Sequence, residues 1–350
     1  MKNYIIPIFI PHYGCTHECI FCNQRKITGI ESPISPAQIM NTIEEHLNMI
    51  TQPRKIEVAF YGGSFTALPI NTQRDLLMPA YNVLKNGKIH TIRISTRPDC
   101  INTEIVTFLC SFGVETIELG VQSLDDKVLQ SACRGHTTQD VLNAVAVIRQ
   151  YPLKCGLQLM PGLPGEDFNS LINTAIKTVQ IRPDFARIYP TIVIANTKLA
   201  ELYHQGEYQP LSLDQAVKRA SYLKLLFERN GITVIRTGLQ ATTDLDNSEV
   251  VLGGPYHPAF GELVDSYLFK ILITQCFDQL SGNKMEIVIH HHIKDTSKIR
   301  GLNNGNIFKW HCEYTFNRII LVQDGLKLGE VVIEHNHDKY TLNKFMLEHV

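Results

Sequence analysis

Seven short runs rich in β-branched and aromatic residues recur between residues 4 and 238, and stretches with helical spacing separate them. The candidate strands are YIIPIFI, KIEVAFY, TIRIST, VETIELGV, KCGLQLM, FARIYPTIV and ITVIRTG; the helical patterns include PAQIMNTIEEHLNMI, TQDVLNAVAVIRQ and NSLINTAIKTVQ. Strand–helix alternation at this spacing predicts a parallel α/β sheet, and six or seven such units predict a partial or full β/α barrel. Six of the strands run straight into a polar or glycine-rich cluster: PHYGC, YGGSF, STRPD, GVQS, MPGLPGE and YPTIV. Taken singly, each cluster reads as turn chemistry. Catalytic groups of β/α barrels gather on the loops at the C-terminal ends of the strands, so six clusters together predict one convergent site.

Bulk charge excludes little. Lys plus Arg number 33 against 34 Asp plus Glu, so nothing global announces a nucleic-acid or membrane partner. No apolar run reaches the ~18–20 residues that cross a bilayer, and no membrane association is expected. The start, MKNYIIPIFIPHYGC, is broken by Pro7 and Pro11 and reads as a first buried strand rather than a signal peptide. Six of nine cysteines (Cys100, Cys110, Cys133, Cys155, Cys276, Cys312) are scattered singly, which argues against a disulfide scaffold and for a reducing cytoplasm.

The other three cysteines carry the chemistry. GCTHECIFCNQ, residues 14–24, packs Cys15, Cys19 and Cys22 onto one loop with no fourth cysteine nearby. A structural zinc site needs four protein ligands, so His12 or His17 would have to complete it. Iron–sulfur cubanes normally take four Cys, one per iron. Three would leave one iron with an exchangeable position, and Phe21 beside Cys22 can shield one face from water.

CxxxCxxC on the loop after the first strand, with an aromatic residue before the last Cys, resembles the radical S-adenosylmethionine (SAM) superfamily. YGGSFTALP, RISTRPDCI, IELGVQSLDD, RGHT, MPGLPGE and IYPTIVIANTKLAELYHQGEY extend the likeness, in order from about Pro11 to Leu239, to the radical-SAM half of the Elongator catalytic subunit. The resemblance implies a TIM-type radical SAM barrel and a 4Fe–4S cluster on Cys15, Cys19 and Cys22 whose open iron chelates SAM. It further implies reductive cleavage of SAM to a 5′-deoxyadenosyl radical that takes a hydrogen atom from substrate, with electrons from a ferredoxin- or flavodoxin-type reductant protein. The hard chemistry then belongs to the cofactor, and the protein positions reactants and excludes water.

The same resemblance assigns SAM contacts. Gly62 and Gly63 allow close backbone approach, and Ser64 stands where the family commonly has an acid. Ser95 and Arg97 end the third strand, Gln122 is the candidate for the ribose, and Arg134 offers a fork to the carboxylate. Met160 and Pro161 are expected to line the adenine slot. Arg187 replaces a lysine common in the Elongator-like branch, keeping the charge while changing its geometry. Tyr189 is placed beside the reacting centre, with a buried barrel tyrosine as the equal alternative.

Three domains are expected: the barrel over 1–245, a linker and closing helix over 246–283, and a small α/β domain over 284–350. TTDLDNSEV reads as linker, and a long helix is expected from near Pro258, beside His257. Elongator's acetyltransferase domain finds no counterpart here, which leaves tRNA as the first-guess substrate without acetyl transfer. The tail reads as β-α-loop-α-β-β-α, the order of a type I KH domain. Its loop Gly301–Gly305 is one residue longer than GXXG and is flanked by Lys298, Arg300 and Lys309. The triplet His290–His292 is read as solvated, because consecutive strand residues point to opposite faces. Two other functions stay open: a small-molecule enzyme of the coproporphyrinogen-oxidase type, and a non-catalytic zinc-binding module.

Overall fold

The computed structural model describes residues 3–10, 15, 17–23, 34–52, 54–242, 245–280, 286–314, 316–336 and 338–347. His12 and Pro11 lie outside the described residues. The first half runs β1 (Asn3–Phe9), α1 (Pro36–Met49), β2 (Lys55–Tyr61), α2 (Ile70–Lys85), β3 (Thr91–Thr96), α3 (Thr103–Ser111) and β4 (Val114–Gln122). It continues with α4 (Asp126–Ser131), α5 (Thr138–Ile148), β5 (Lys154–Leu159), α6 (Phe168–Ile181), β6 (Phe185–Ile188), β7 (Val193–Ile194), α7 (Lys198–His204), α8 (Leu213–Arg229) and β8 (Thr233–Thr237). Local chemistry starts the helices: Ser35, Thr137, Asp167 and Ser212 each close a capping box at their N-termini.

Strands β1-β2-β3-β4-β5-β6-β8 hydrogen-bond in that order, every pair parallel. Seven parallel strands thus form a curled half-barrel, the partial version of the expected barrel. Alternation sorts the two faces. Val58, Phe60, Ile92, Ile94, Leu119 and Leu157 point outward into the main core beneath the helices. Glu57, Arg93, Glu118 and Arg187 occupy the opposite face and meet one another across the concave interior. Gly156 on β5 makes room there: a Cβ would stand 2.1 Å from the Phe185 ring, and that ring lies 5.0 Å beneath the Arg93 guanidinium.

Beyond the barrel come β9 (Val251–Gly253), antiparallel to β7, and α9 (Phe260–Gln279). The helix starts two residues after Pro258. The stretch read as linker is partly packed, with Leu245 and Val250 buried against Ile192 and Ile194. Helix α9 gives Phe260 and Val264 to the barrel core and Phe269, Ile273 and Phe277 to a second core. A helix that packs on both sides needs apolar residues on more than one face, and its buried Val264, Leu268, Leu272, Ile273 and Phe277 supply them between a few charged positions.

The second core lies under β10 (Glu286–His291), α10 (Thr296–Arg300), α11 (Gly305–Tyr314), β11 (Arg318–Gln323), β12 (Glu330–His335) and β13 (Asp338–Asn343), with sheet order β11-β10-β12-β13. Two tail expectations change. The last α of the expected β-α-loop-α-β-β-α order falls on KYTLNKFMLEHV, but Asn336 takes a φ of 51° and β13 follows, its Tyr340 and Thr341 pairing with β12. Aromatic and β-branched residues fit a strand better than a helix. The chain order is therefore βααβββ, with β10 and β11 parallel, rather than the KH order. The histidine triplet is not uniformly solvated either. His291 is wholly buried on the face of Ile287 and Ile289, while His290 faces Asp324 and Glu334. Burial drives the His291 pKa down.

Candidate functional site

The cysteine loop leaves the C-terminal end of β1 and is pinned by its middle. Ile20 and Phe21 pack on Val128, Ala132, Leu163 and Leu199. The Ile20 N–H donates to the Ala132 carbonyl at 3.3 Å, and the Ile20 carbonyl accepts from the Leu199 N–H at 2.7 Å. Cys19 and Cys22 close a turn, the Cys22 N–H reaching the Cys19 carbonyl at 3.0 Å. All three thiols stay partly exposed. Among the described residues, no three His, Cys, Asp or Glu side chains form a metal cage. Burial raises the Cys15 thiol pKa and nearby Cys19 adds to it, against the pull of Arg97 and Arg134. His17 presses its ring against Gly135, whose φ of 70° and lack of Cβ permit the contact.

Arg134 comes to the loop from the segment after α4. Its Nη1 donates to Cys19 Sγ at 2.9 Å, its Nη2 to the Gly120 carbonyl at 2.5 Å, and its guanidinium lies 6.0 Å from the Phe21 ring centre. Gln122 ends β4 at a φ of 70°; its carbonyl accepts from the Met160 N–H and its Oε1 from Gln158. Met160 packs beside Ile20 and Phe21, and the Pro161 carbonyl accepts from Thr191 N–H at 2.9 Å. Gly62 and Gly63 both adopt left-handed φ after β2. Ser64 is fully buried, and its Oγ bonds Thr96 Oγ1 at 3.1 Å and accepts from the Arg97 N–H. Arg97 forks onto Asp99 at 3.0 and 2.9 Å.

Arg187 and Tyr189 stand deeper, in the ion network. Arg187 Nη1 donates to Tyr189 Oη at 2.8 Å, Nη2 to Tyr61 Oη and Glu118 Oε1, both at 3.0 Å, and Nε to Glu118 at 3.2 Å. Burial alone would lower the Arg187 pKa, yet Tyr189 and Glu118 hold it well above its ordinary value. Arg93 bridges Glu57, at 2.7 Å, and Glu118. Sequence reasoning missed Glu57, Tyr61, Arg93 and Glu118. The available signal was a charge at an interior position of each of three neighbouring apolar strands. It also missed His136, buried after Arg134, whose Nε2 meets the Val121 carbonyl at 3.2 Å. Burial, helped by Arg134 and Arg97, pushes the His136 pKa down to about 4.

Among the described residues, buried polar atoms without a partner gather at this end: Ser95 Oγ, Arg97 Nη1 and Thr191 Oγ1 in the strand-end clusters, and Arg134 Nε and His136 Nδ1 in the segment after α4. A buried polar group left without a partner costs about 1–3 kcal/mol, so the concentration of such groups here marks a place that a polar ligand completes. Unsatisfied guanidinium N–H groups suit a carboxylate, the glycine turn admits close backbone approach, and three thiols on one loop suit soft iron. The residues present fit a 4Fe–4S cluster and SAM.

Comparison with known proteins agrees. Family models described as "Radical SAM superfamily" and "Radical_SAM C-terminal domain" match residues 9–176 and 183–270. The chain is 28% identical over 248 residues to the tRNA uridine(34) acetyltransferase of Methanocaldococcus jannaschii, covering 65% of this chain and 44% of that one. It is 32% identical over 184 residues to Elongator complex protein 3 of Saccharomyces cerevisiae, covering 47% and 33%. The chain thus spans less than half the length of either relative. The archaeal Methanocaldococcus infernus Elp3 superposes with a TM-score of 0.60 at 24% identity, over 77% of this chain and 63% of that one, and shares its fold. No described helix is long and apolar enough to cross a membrane. The chain belongs to the radical SAM superfamily, whose enzymes work with a 4Fe–4S cluster and S-adenosylmethionine.

Proposed function

We propose that Cys15, Cys19 and Cys22 hold the cluster, that Arg134, Arg97, Ser95 and Gln122 bind SAM, and that the enzyme modifies RNA, with tRNA the first candidate substrate. The observation that carries the site assignment is the meeting of Arg134 with Cys19 Sγ at 2.9 Å among buried polar atoms that lack a partner. When bound, the cluster supplies one-electron cleavage of SAM to a 5′-deoxyadenosyl radical. The chain's own residues do the rest. Arg134 and Arg97 neutralise the methionyl carboxylate, and Gln122 reaches the ribose. Met160 and Pro161 flank the adenine, while Ile20 and Phe21 keep the loop dry. The RNA reading is supported by the two curated relatives, whose names place them on tRNA uridine 34 and in Elongator. It covers the radical step alone.

The test is anaerobic reconstitution. Wild type should bind about four irons per chain and, with dithionite, convert SAM to 5′-deoxyadenosine; Cys19→Ala should lose both. A colourless protein with stoichiometric zinc would refute the cluster assignment. Mass spectrometry of tRNA nucleosides from cells with and without the gene checks the substrate, and an unchanged profile would refute the RNA reading.

A further inference from the structure

The elbow between α10 and α11 opens a groove of about 520 Å³ in a region that neither family model reaches, since the second ends at residue 270. Lys294, Thr296, Ser297, Arg300, Asn303 and Asn304 line it, and no carboxylate does. Among the described residues, Lys294 and Arg300 make no ion pair. Their neighbours do: Lys298 is held by Asp265 and Asp295, and Lys309 by Glu313. Large apolar side chains stand in water around the same elbow, with Ile293 at 61%, Leu302 at 57% and Phe308 at 72% exposure. Unpaired cations beside exposed apolar side chains and one exposed aromatic ring, Phe308, suit a single-stranded nucleic acid: charge for phosphates, a flat face for a base.

The groove is also fixed at the right end of the molecule. Ser297 bonds Glu262, Lys298 Nζ lies 3.2 Å from Asp265, and Asn306 Nδ2 donates to Ser266 Oγ at 3.0 Å. These bonds clamp the elbow onto the first turns of α9. That helix begins at Phe260, which packs on Gly238 just past the C-terminal end of β8. The groove therefore stands on the side of the barrel where the strand-end clusters lie.

We propose that this groove receives the sugar–phosphate backbone of single-stranded RNA, Lys294 and Arg300 contacting phosphates while Leu302 and Phe308 meet bases. The proposal rests on the RNA reading above and adds where the RNA is held. The test measures anisotropy of labelled tRNA and of a single-stranded oligoribonucleotide on the whole reconstituted protein over a salt series. It compares wild type with Lys294→Glu/Arg300→Glu and with the charge-matched Lys88→Glu/Lys154→Glu, whose exposed lysines lie at the N-terminal ends of β3 and β5. The groove variant should bind about tenfold more weakly or worse near 50 mM salt, and its log–log salt slope should flatten by about 1.4, two phosphates at about 0.7 each. The matched variant should stay close to wild type. If wild type binds RNA and the groove variant binds equally well, or both variants weaken alike, the groove is refuted and the RNA reading survives. If wild type fails to bind at low salt, both fall. A groove variant that alters sedimentation of the protein and leaves RNA affinity untouched assigns the surface to protein contacts and overturns the proposal.

Discussion

Glu118 is the hub of the barrel interior, and its removal tests whether the ion layer is a single unit. One oxygen, Oε1, accepts from Arg93 on β3 and from Arg187 on β6, while Arg93 also holds Glu57 on β2. The four side chains are 5–12% exposed, and two carboxylates balance two guanidiniums. Glu118→Gln keeps the shape and leaves one net positive charge. Arg93 still has Glu57. Arg187 keeps the phenols of Tyr189 and Tyr61 and a neutral amide oxygen, and loses its counter-charge. An uncompensated buried charge of this kind costs about 3–5 kcal/mol, which at roughly 2 °C per kcal/mol for a large chain lowers Tm by about 6–10 °C.

Arg187→Met removes the stranded cation, so Glu118→Gln/Arg187→Met should recover part of the loss, because neutral replacement of a buried pair is often nearly free of cost. Anaerobic calorimetry of the four proteins in that cycle measures the coupling. A value of at least about 1 kcal/mol is expected; additivity within about 0.5 kcal/mol would show that the two residues act independently and refute the argument. So would a Glu118→Gln protein within about 1 kcal/mol of wild type.

His136 titrates near pH 4 when folded against 6.5 for the free group. Its contribution is therefore fully present above pH 6.5 and is lost as pH falls toward 4, a total of about 3 kcal/mol; urea melts across that window should show a pH dependence that His136→Gln flattens. Gly135→Ala would place a Cβ 2.5 Å from the His17 ring at a φ of 70°, so it should lose iron on gel filtration while keeping its far-UV spectrum, and full iron retention would count against the placing of the loop. Trp310, the chain's single tryptophan, is wholly buried against Phe277 of α9. If α9 ties the two cores together, tryptophan fluorescence and far-UV circular dichroism should report one coincident unfolding transition; separated midpoints would show that they melt independently.

Strand positions were legible because periodicity is a local signal. KIEVAFY and TIRIST became β2 and β3 without a residue's shift, and the helices between strands ended within two residues of their patterns. The strand-end clusters were legible because β/α topology brings successive loops to one end. The interior layer was not read, because each charge looks like an isolated anomaly until β2, β3, β4 and β6 are curled into one concave face. His291 was misjudged for a related reason: alternation says that neighbours in a triplet differ, but only the sheet order decides which of them is buried. The closing helix of the tail failed where a turn at Asn336 and pairing with β12 override a weak helical pattern.

The same layer explains why an arginine stands at position 187. In the Elongator-like pattern a lysine at this point faces SAM, a single point donor. Arg187 instead spends Nε, Nη1 and Nη2 on Glu118, Tyr189 and Tyr61, groups carried by β4, the short segment after β6, and β2. A fork satisfied in all three directions is a strut and has little left for a ligand. Guanidiniums that still hold a nitrogen without a partner among the described residues are Arg97 at the end of β3 and Arg134 after α4, the two proposed above to meet the carboxylate. Paired charges thus fill the interior at the level of β2, β3, β4 and β6, and the proposed cofactor site lies beyond them on the loop side, with the cysteine loop.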